Sequence, residues 1–176
     1  YEYFGIDIDA QFVPNMTADI SKLSIANIPF KPDVIWASPP CTHFSVASIG
    51  RNWNKDRTPK SEGARDAIEL LEKTINLIFE LNPKFYFIEN PRGMMRKMAI
   101  MESLPIRHTV TYCQYGDKRM KPTDIWTNCE NWHPRPACKN GDSCHVRAPR
   151  GSRTGTQGLQ SAIERARVPY ELLSEI

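Results

Sequence analysis

The chain has 176 residues, which is long enough for one hydrophobic core and too short for two full domains. Lys and Arg outnumber Asp and Glu by only 23 to 20, so the overall charge does not indicate a class of partner. No apolar stretch is long enough to cross a bilayer or to act as a signal, and the five cysteines are an odd number. These features favour a protein of the reducing cytoplasm, with cysteines that are catalytic or metal-bound rather than paired.

Two strands are predicted in the first 41 residues, and each ends in a chemically active side chain. Residues 3–8 are aromatic and β-branched, and they lead to Asp7, an acid at the position where α/β nucleotide-binding proteins hold ribose hydroxyls. Residues 33–37 are a second apolar run, which Pro39-Pro40 ends because proline fixes φ and has no N–H. Cys41 is therefore expected at the carboxyl end of that strand, where open α/β sheets bind ligands. The alternative is that Cys41 is a small buried apolar residue, as free cysteines often are.

The longest predicted helix spans residues 61–81. Its apolar side chains recur on one face at helical spacing, namely Ile68, Leu71, Ile75 and Ile78. The apolar run at 85–88 then predicts a strand buried on both faces, which places Glu89 at its carboxyl end. A strand, a helix and a strand in this order form a right-handed crossover with two parallel neighbouring strands. Cys41 and Glu89 are therefore expected at the same edge of the sheet.

The remaining predicted elements are shorter. They are a long mobile loop at 42–60, a helix at 93–104, strands at 107–112 and 123–127, and short helices at 160–167 and 170–176. Two basic stretches, 51–60 and 147–153, suit contact with a phosphate backbone, although ordinary solvated loops have such a composition as often. The second stretch adds Arg150 and Arg153 as candidate nucleic-acid contacts.

The order of the motifs is more specific than any one of them. Pro39-Pro40-Cys41 precedes Phe44-Ser45, a long helix, a strand ending in Glu89-Asn90-Pro91, and then Gln114-Tyr115-Gly116 with Arg119 and Lys121. From Tyr3 to about Trp126 the sequence resembles the DNA cytosine-5 methyltransferases, particularly the short phage and prophage forms. The resemblance implies an α/β fold with a Rossmann-like, S-adenosylmethionine-dependent methyltransferase core. Such an enzyme would methylate carbon 5 of cytosine in duplex DNA, in the cytoplasm of a bacterial or phage-infected cell.

The resemblance also implies catalytic roles. The Cys41 thiolate would add to carbon 6 of a cytosine flipped out of the duplex, while Glu89 holds ring nitrogen 3 and the exocyclic amine. Arg119 and Lys121 stand where the family has two arginines that brace the target base. Because the thiol must ionise, positive charge is expected near Cys41.

Binding roles follow from the same resemblance. Asp7 is expected to hold the ribose of S-adenosylmethionine, Ile8 and Asp19 its adenine, and Pro39 its methionine. Ile20 is included because it follows Asp19. The loop after Cys41 is expected to close over the flipped nucleotide and to contact DNA through Phe44, Ser45, Arg51 and Lys55.

Two family motifs are missing from the sequence. The glycine-bearing Phe-x-Gly-x-Gly loop is absent, which predicts either a fragment without its first strand and helix or a chain that binds the cofactor poorly. The late Asn-Ala-Val-Pro motif is not recognisable, and residues 167–172 occupy its place.

Residues 128–157 are rich in Cys, His, Pro and Arg, and lie where larger relatives insert a target-recognition domain. Cys138, Cys144 and His145, with Cys113 or His133 as a fourth ligand, could hold one structural zinc ion; unpaired surface cysteines and histidines are the alternative. Three parts of the chain are therefore expected. They are a catalytic core at 1–127, an irregular segment at 128–157 that could bind zinc, and C-terminal helices at 158–176 that pack back on the core.

Three other functions fit parts of the pattern. Methylation of cytosine in RNA needs the same pocket. An amino-directed DNA methyltransferase fits less well, because its Ser-Pro-Pro motif is followed by an aromatic residue where this chain has Cys41. A catalytically idle nucleic-acid-binding domain would explain the missing glycine loop.

Overall fold

The computed structural model describes residues 2–147 and 161–176. Its strands are β1 (Ile6–Asp7), β2 (Met16–Thr17), β3 (Val34–Ala37), β4 (Phe85–Pro91), β5 (Ile106–Thr111) and β6 (Pro122–Thr127). Its α-helices are α1 (Ile49–Asn52), α2 (Glu62–Leu81), α3 (Ala99–Glu102), α4 (Ala162–Ala166) and α5 (Tyr170–Ser174). The fold is therefore mixed α/β, as the sequence predicts. No helix in these residues is long and apolar enough to span a membrane.

A four-stranded sheet with the order β3-β4-β6-β5 organises the molecule. β3 and β4 are parallel, with Ala37 paired to Ile88, while β6 is antiparallel to both β4 and β5. The expectation of two parallel neighbours joined through a helix is confirmed. Their shared direction brings the segments that follow Ala37 and Ile88 to one edge of the sheet.

Helix α2 forms the connection between β3 and β4. The Ser61 hydroxyl accepts a hydrogen bond from the Ala64 N–H and caps the first turn. The helix ends at Asn82, whose φ of +47° is left-handed, directly before Pro83. Leu71 and Ile75 on its apolar face are fully buried against the sheet. The predicted bounds at 61–81 therefore hold to within one residue.

The N-terminal region differs from the prediction. Only Ile6–Asp7 of the predicted strand 3–8 is a strand, and it pairs in parallel with Met16–Thr17 in a small separate sheet. Residues Ile20–Lys22 and Ile25–Asn27 form short 3-10 turns. Both turns pack against α2, so this region contacts the core through the helix.

The predicted helix at 93–104 is wrong in extent. Met95–Lys97 is a 3-10 turn, and α3 is only four residues long. The two are separated at Met98, whose φ and ψ of −81° and 136° are extended. Met95, Met98 and Met101 are all buried. The backbone of this segment therefore follows the packing of these flexible side chains and does not continue as one regular helix.

Two apolar clusters cover the faces of the sheet. One contains the α2 side chains with Tyr86, Ile88 and Trp126. The other contains Phe87, Val110, Tyr112, Ile125, Trp132 and Leu172. Leu172 lies on α5, so the C-terminal helix packs against the second face, beside the 3-10 turn Tyr112–Tyr115 that follows β5.

Candidate active site

Cys41 and Glu89 follow the paired residues Ala37 and Ile88 at the same edge of the sheet. Asn90 is fully buried, and its Nδ2 donates a hydrogen bond of 2.8 Å to the Pro39 carbonyl. This bond fixes the turn that leads to Cys41 against the end of β4. The charge of Glu89 acts on the thiol, since it raises the pKa of Cys41. The two side chains therefore share one site.

Burial dominates the ionisation of Cys41. Removal from water raises the pKa of the thiol above its ordinary value, and the Glu89 carboxylate raises it further. Lys121 is the largest opposing influence, and Arg165 of α4 acts in the same direction. The positive charge expected near Cys41 is therefore present, but it does not outweigh burial in the free protein.

Glu89 is held by a tyrosine that the sequence analysis missed. The carboxylate is 4% exposed, and the Tyr112 hydroxyl donates a hydrogen bond of 2.7 Å to its Oε1. Burial and the adjacent carboxylate raise the pKa of Tyr112, so the hydroxyl remains a proton donor. Nothing in the sequence marks this role, because Tyr112 lies at the end of an alternating strand and resembles a core residue.

Lys121 reaches the same site. Its Nζ lies 4.5 Å from the centroid of the Tyr112 ring, a cation–π distance. Burial lowers the pKa of Lys121, while the charges of Glu89 and Cys41 oppose that effect. Its φ is +29°, a strained conformation for a residue other than glycine that costs on the order of 1–3 kcal/mol. Strain of this kind is typical of functional positions.

Arg119 also lies over the Tyr112 ring, 5.9 Å from its centroid, but its donors are engaged elsewhere. It is 5% exposed, and its guanidinium is paired with Asp117. The same group donates hydrogen bonds to the backbone carbonyls of Glu164, Arg165 and Arg167, at the C-terminal end of α4. In this conformation Arg119 joins the connection before β6 to α4, and its donors are directed at protein atoms.

The loop after Cys41 is packed more closely than the predicted mobile loop. Phe44 is 1% exposed and stacks on Trp53 at 5.6 Å, so its ring belongs to the core in this conformation. Ser45 is half-buried and forms a β-bridge with Gly93. The surface of the loop presents Arg51 and Lys55 to solvent. The two further candidate contacts, Arg150 and Arg153, lie outside the described residues.

Gly93 allows this packing. The Met94 N–H donates a 2.7 Å hydrogen bond to the Phe44 carbonyl. A Cβ on Gly93 would lie 2.2 Å from that carbonyl oxygen, a separation that no real Cβ tolerates. Glycine is therefore required where the segment after Glu89-Asn90-Pro91 meets the loop after Cys41.

The residues predicted to bind a cofactor are only partly gathered. Ile8 and Asp19 line one open cavity of about 500 Å³, together with Ser21 and with Asp66, Glu69, Leu70 and Lys73 of α2. Asp19 accepts hydrogen bonds from the amide and hydroxyl of Ser21, which lower the pKa of its carboxyl. Asp7 and Ile20 are half-buried nearby in sequence, and Pro39 is buried at the end of β3.

A second cluster lies beside the active site. The ligand atoms of Cys113, Cys138, Cys144 and His145 all lie within 4.8 Å of one another. Cys113 Sγ is 3.1 Å from Cys138 Sγ and 3.6 Å from Cys144 Sγ, and His145 Nδ1 is 3.5 Å from Cys144 Sγ. Tetrahedral ligands at zinc–sulfur and zinc–nitrogen bond lengths are separated by about 3.4–3.8 Å. These four side chains can therefore bind one metal ion. They are the three predicted ligands and Cys113, one of the two predicted candidates for the fourth.

Comparison with known proteins gives two matches. The family described as C-5 cytosine-specific DNA methylase matches residues 9–106. A protein of Frog virus 3 (isolate Goorha), named as a probable DNA (cytosine-5)-methyltransferase, is 32% identical over 161 aligned residues. That alignment covers 82% of this chain and 73% of the viral protein. The family match begins after Asp7 and Ile8 and includes both Cys41 and Glu89.

Proposed function

The chain belongs to the C-5 cytosine-specific DNA methylase family, and from this premise we propose how its own residues perform the reaction of that family. It methylates carbon 5 of cytosine in DNA and uses S-adenosylmethionine as the methyl donor, the cofactor of that family. The family match and the viral relative both favour DNA over RNA and an enzyme over an idle binding domain. The observation that supports the catalytic roles is that Cys41 and Glu89 follow paired parallel strands at one edge of the sheet, where Tyr112 joins Glu89 to Lys121.

Cys41 is the proposed nucleophile. Its Sγ adds to carbon 6 of the cytosine, and the electron pair of the 5,6 double bond then becomes available at carbon 5 to take the methyl group. Transfer of the carbon 5 proton to solvent and cleavage of the bond between sulfur and carbon 6 then restore the ring and release Cys41 as the thiolate. Because carbon 5 is inside the stacked duplex, the base must be flipped out before this chemistry.

Glu89 and Lys121 are the proposed charge-stabilising groups. Addition of sulfur places negative charge on the ring, and Glu89 can balance it by holding a proton at ring nitrogen 3. Lys121 favours ionisation of Cys41, and its ammonium lies over the ring of Tyr112, the residue that holds Glu89. Arg119 is proposed as the residue that holds the Lys121 segment against α4, since its donors are engaged there.

Part of the cofactor site can be proposed from the open cavity. Ile8 is 70% exposed at its wall, which gives a flat purine an apolar surface, and Asp19 supplies carboxylate oxygens for an exocyclic amine. These two residues fit the adenosine end of S-adenosylmethionine, which supplies the methyl group when bound. Asp7 is proposed for the ribose, with Ile20 beside Asp19 and Pro39 at the methionine end, within a Rossmann-like core at 1–127.

DNA binding is proposed at the loop after Cys41. Arg51 and Lys55 are exposed there and suit phosphate contacts, and the Ser45 N–H donates a 2.9 Å hydrogen bond to the Cys41 carbonyl. Phe44 would support the loop from the core unless the loop rearranges on DNA. Arg150 and Arg153 remain candidates for further phosphate contacts within the segment 128–157, and residues 158–176 are proposed to complete the core.

We also propose that the Cys/His cluster binds structural zinc. Three thiolates and one imidazole are a ligand set that zinc prefers, with no open position for catalysis. Zinc needs the thiols reduced, in agreement with a reducing compartment. The metal content of the purified chain measures this directly: about one zinc per chain is expected, and a chain that remains metal-free after zinc addition would contradict the proposal.

A methyl-transfer assay tests the proposed function. The chain, labelled S-adenosylmethionine and cytosine-bearing duplex DNA should give labelled DNA, and Cys41→Ala should give none. Cys129→Ala is the matched control, because Cys129 is half-buried and lies outside both sites. Equal labelling by the Cys41→Ala variant would remove Cys41 from the mechanism.

A further inference from the structure

The Cys/His cluster and the active site are joined by one turn, and we propose that the bound metal positions Tyr112, and through it Glu89, for reaction. The turn is Tyr112–Tyr115, which directly follows β5. Cys113 belongs to the cluster, and its neighbour Tyr112 holds Glu89. This inference rests on the proposed function and on zinc as the metal, and it assigns the metal a role in the chemistry beyond holding its own segment.

Hydrogen bonds attach the cluster to the start of this turn. The Cys138 N–H donates a 3.0 Å hydrogen bond to Thr111 Oγ1, one residue before Tyr112. Gln114 Nε2 donates to Cys144 Sγ at 3.4 Å, two residues after it. Thr111 and Gln114, which lie on either side of Tyr112 in the chain, therefore both contact the segment that carries Cys138 and Cys144. Tyr112 is also next to Cys113, a proposed metal ligand.

The cluster also contacts the far end of the same connection. The Val146 N–H donates a 3.0 Å hydrogen bond to the Lys118 carbonyl. Lys118 directly precedes Arg119 and is three residues before Lys121, whose ammonium lies over the Tyr112 ring. The segment 138–146 thus spans the connection between β5 and β6 that provides both Tyr112 and Lys121.

Burial and regular secondary structure contribute little to holding that segment in place. Among the described residues 128–147 there is no helix or strand, and residues 139–144 are all exposed. An exposed, irregular segment loses conformational entropy on ordering and gains little from burial. Metal coordination supplies the missing free energy in small domains of this kind, so its loss should release the segment and the contacts to Thr111 and Lys118.

Release of the turn affects Glu89 through a single hydrogen bond. The Tyr112 hydroxyl fixes Oε1, and the direction of a planar carboxylate is set once one oxygen is fixed. A misdirected carboxylate loses its alignment with the cytosine ring even when the sheet is intact. Outer-shell partners of this type typically change activity by about 10–100-fold.

The experiment compares Cys144→Ser with Cys144→His, which restores a zinc ligand, and with Cys129→Ser as a control outside the cluster. Three quantities are measured on the full chain: zinc content, amide hydrogen exchange, and the rate at which a 5-fluorocytosine duplex traps the enzyme at saturating cofactor. Cys144→Ser should lose zinc, exchange faster at residues 112–121 with α2 unchanged, and be trapped about tenfold or more slowly. Cys144→His and Cys129→Ser should resemble the wild type in all three.

Tyr112→Phe separates positioning from general stability. It removes only the hydroxyl, so it should keep zinc and the slow exchange of residues 112–121 while reducing the trapping rate by a similar factor, with little change in KM for DNA. A zinc-free Cys144→Ser variant with unchanged exchange or unchanged trapping would overturn the inference, as would a wild type without metal. If the zinc-loaded wild type neither methylates DNA nor is trapped, the proposed function fails, and hydrogen exchange alone still shows whether the metal orders the turn.

Discussion

Cys41 is a buried thiol whose reactivity depends on neighbouring charge. Burial and Glu89 raise its pKa, and Lys121 is the main group that lowers it. A nucleophilic thiol reacts as the thiolate, so the rate of adduct formation should increase with pH through the thiol pKa. Loss of the Lys121 charge leaves the thiolate less stable and moves that pKa upward.

Lys121→Met should therefore shift the pH dependence of trapping by 5-fluorocytosine DNA to higher pH. The rate near neutral pH should fall by about tenfold, because less of the thiol is ionised there, and should recover as the pH is raised. Lys84→Met is the control, since Lys84 lies at the opposite end of β4. A Lys121→Met profile that superimposes on the wild-type profile would show that Lys121 does not act on the thiol.

Arg119 is expected to affect stability more than a surface ion pair does. Its side chain is 6% exposed, and Arg119→Ala would leave Asp117 and three backbone carbonyls without their donor. Urea unfolding should show a loss of about 3–5 kcal/mol. Arg57→Ala removes an exposed pair with Glu102, so it should lose only about 0–1 kcal/mol. Equal losses in the two variants would contradict the structural role of Arg119.

At the scale of elements, Gly93 determines how closely the two catalytic segments approach. Gly93→Ala places a Cβ against the Phe44 carbonyl, a backbone atom that cannot move without moving the loop after Cys41. The unfolding free energy should fall by about 1–3 kcal/mol, and trapping by 5-fluorocytosine DNA should slow. Gly50→Ala is the matched control on α1, because nothing lies within 4 Å of its Cβ position. Equal stability of Gly93→Ala and the wild type would show that the loop packs differently.

An element is predictable from the sequence when the periodicity of its apolar residues decides its structure. It is less predictable when contacts with distant parts of the chain decide it. Helix α2 is long, its apolar face is regular, and Ser61 and Asn82 are recognisable end signals, so its bounds are predictable. The segment 93–104 has helix-forming residues, but its buried methionines follow the core and Met98 is extended. The strand at 3–8 is shortened to Ile6–Asp7 because its pairing depends on β2.

At the scale of the molecule, sheet topology accounts for the part of the site that was predictable. Cys41 and Glu89 end two apolar runs joined by one helix, and the rule for parallel crossovers brings them together without knowledge of side chains. Tyr112 reaches the site from the turn after β5, through antiparallel pairing, and Arg165 acts on it from α4, through the return of the C-terminus. Such long-range contacts have no local sequence signal. The cluster of Cys113 with Cys138, Cys144 and His145 was predictable only because thiolates and imidazole are both zinc ligands.

The central claim is that Cys41 forms a covalent bond with cytosine in DNA. The most direct measurement is mass spectrometry of the wild-type chain after incubation with a 5-fluorocytosine duplex and S-adenosylmethionine. Fluorine replaces the proton that carbon 5 must lose, so the adduct cannot be released. We expect one stable adduct, located on the peptide that contains Cys41 and absent from the Cys41→Ala variant. No adduct, or an adduct on another cysteine, would contradict it.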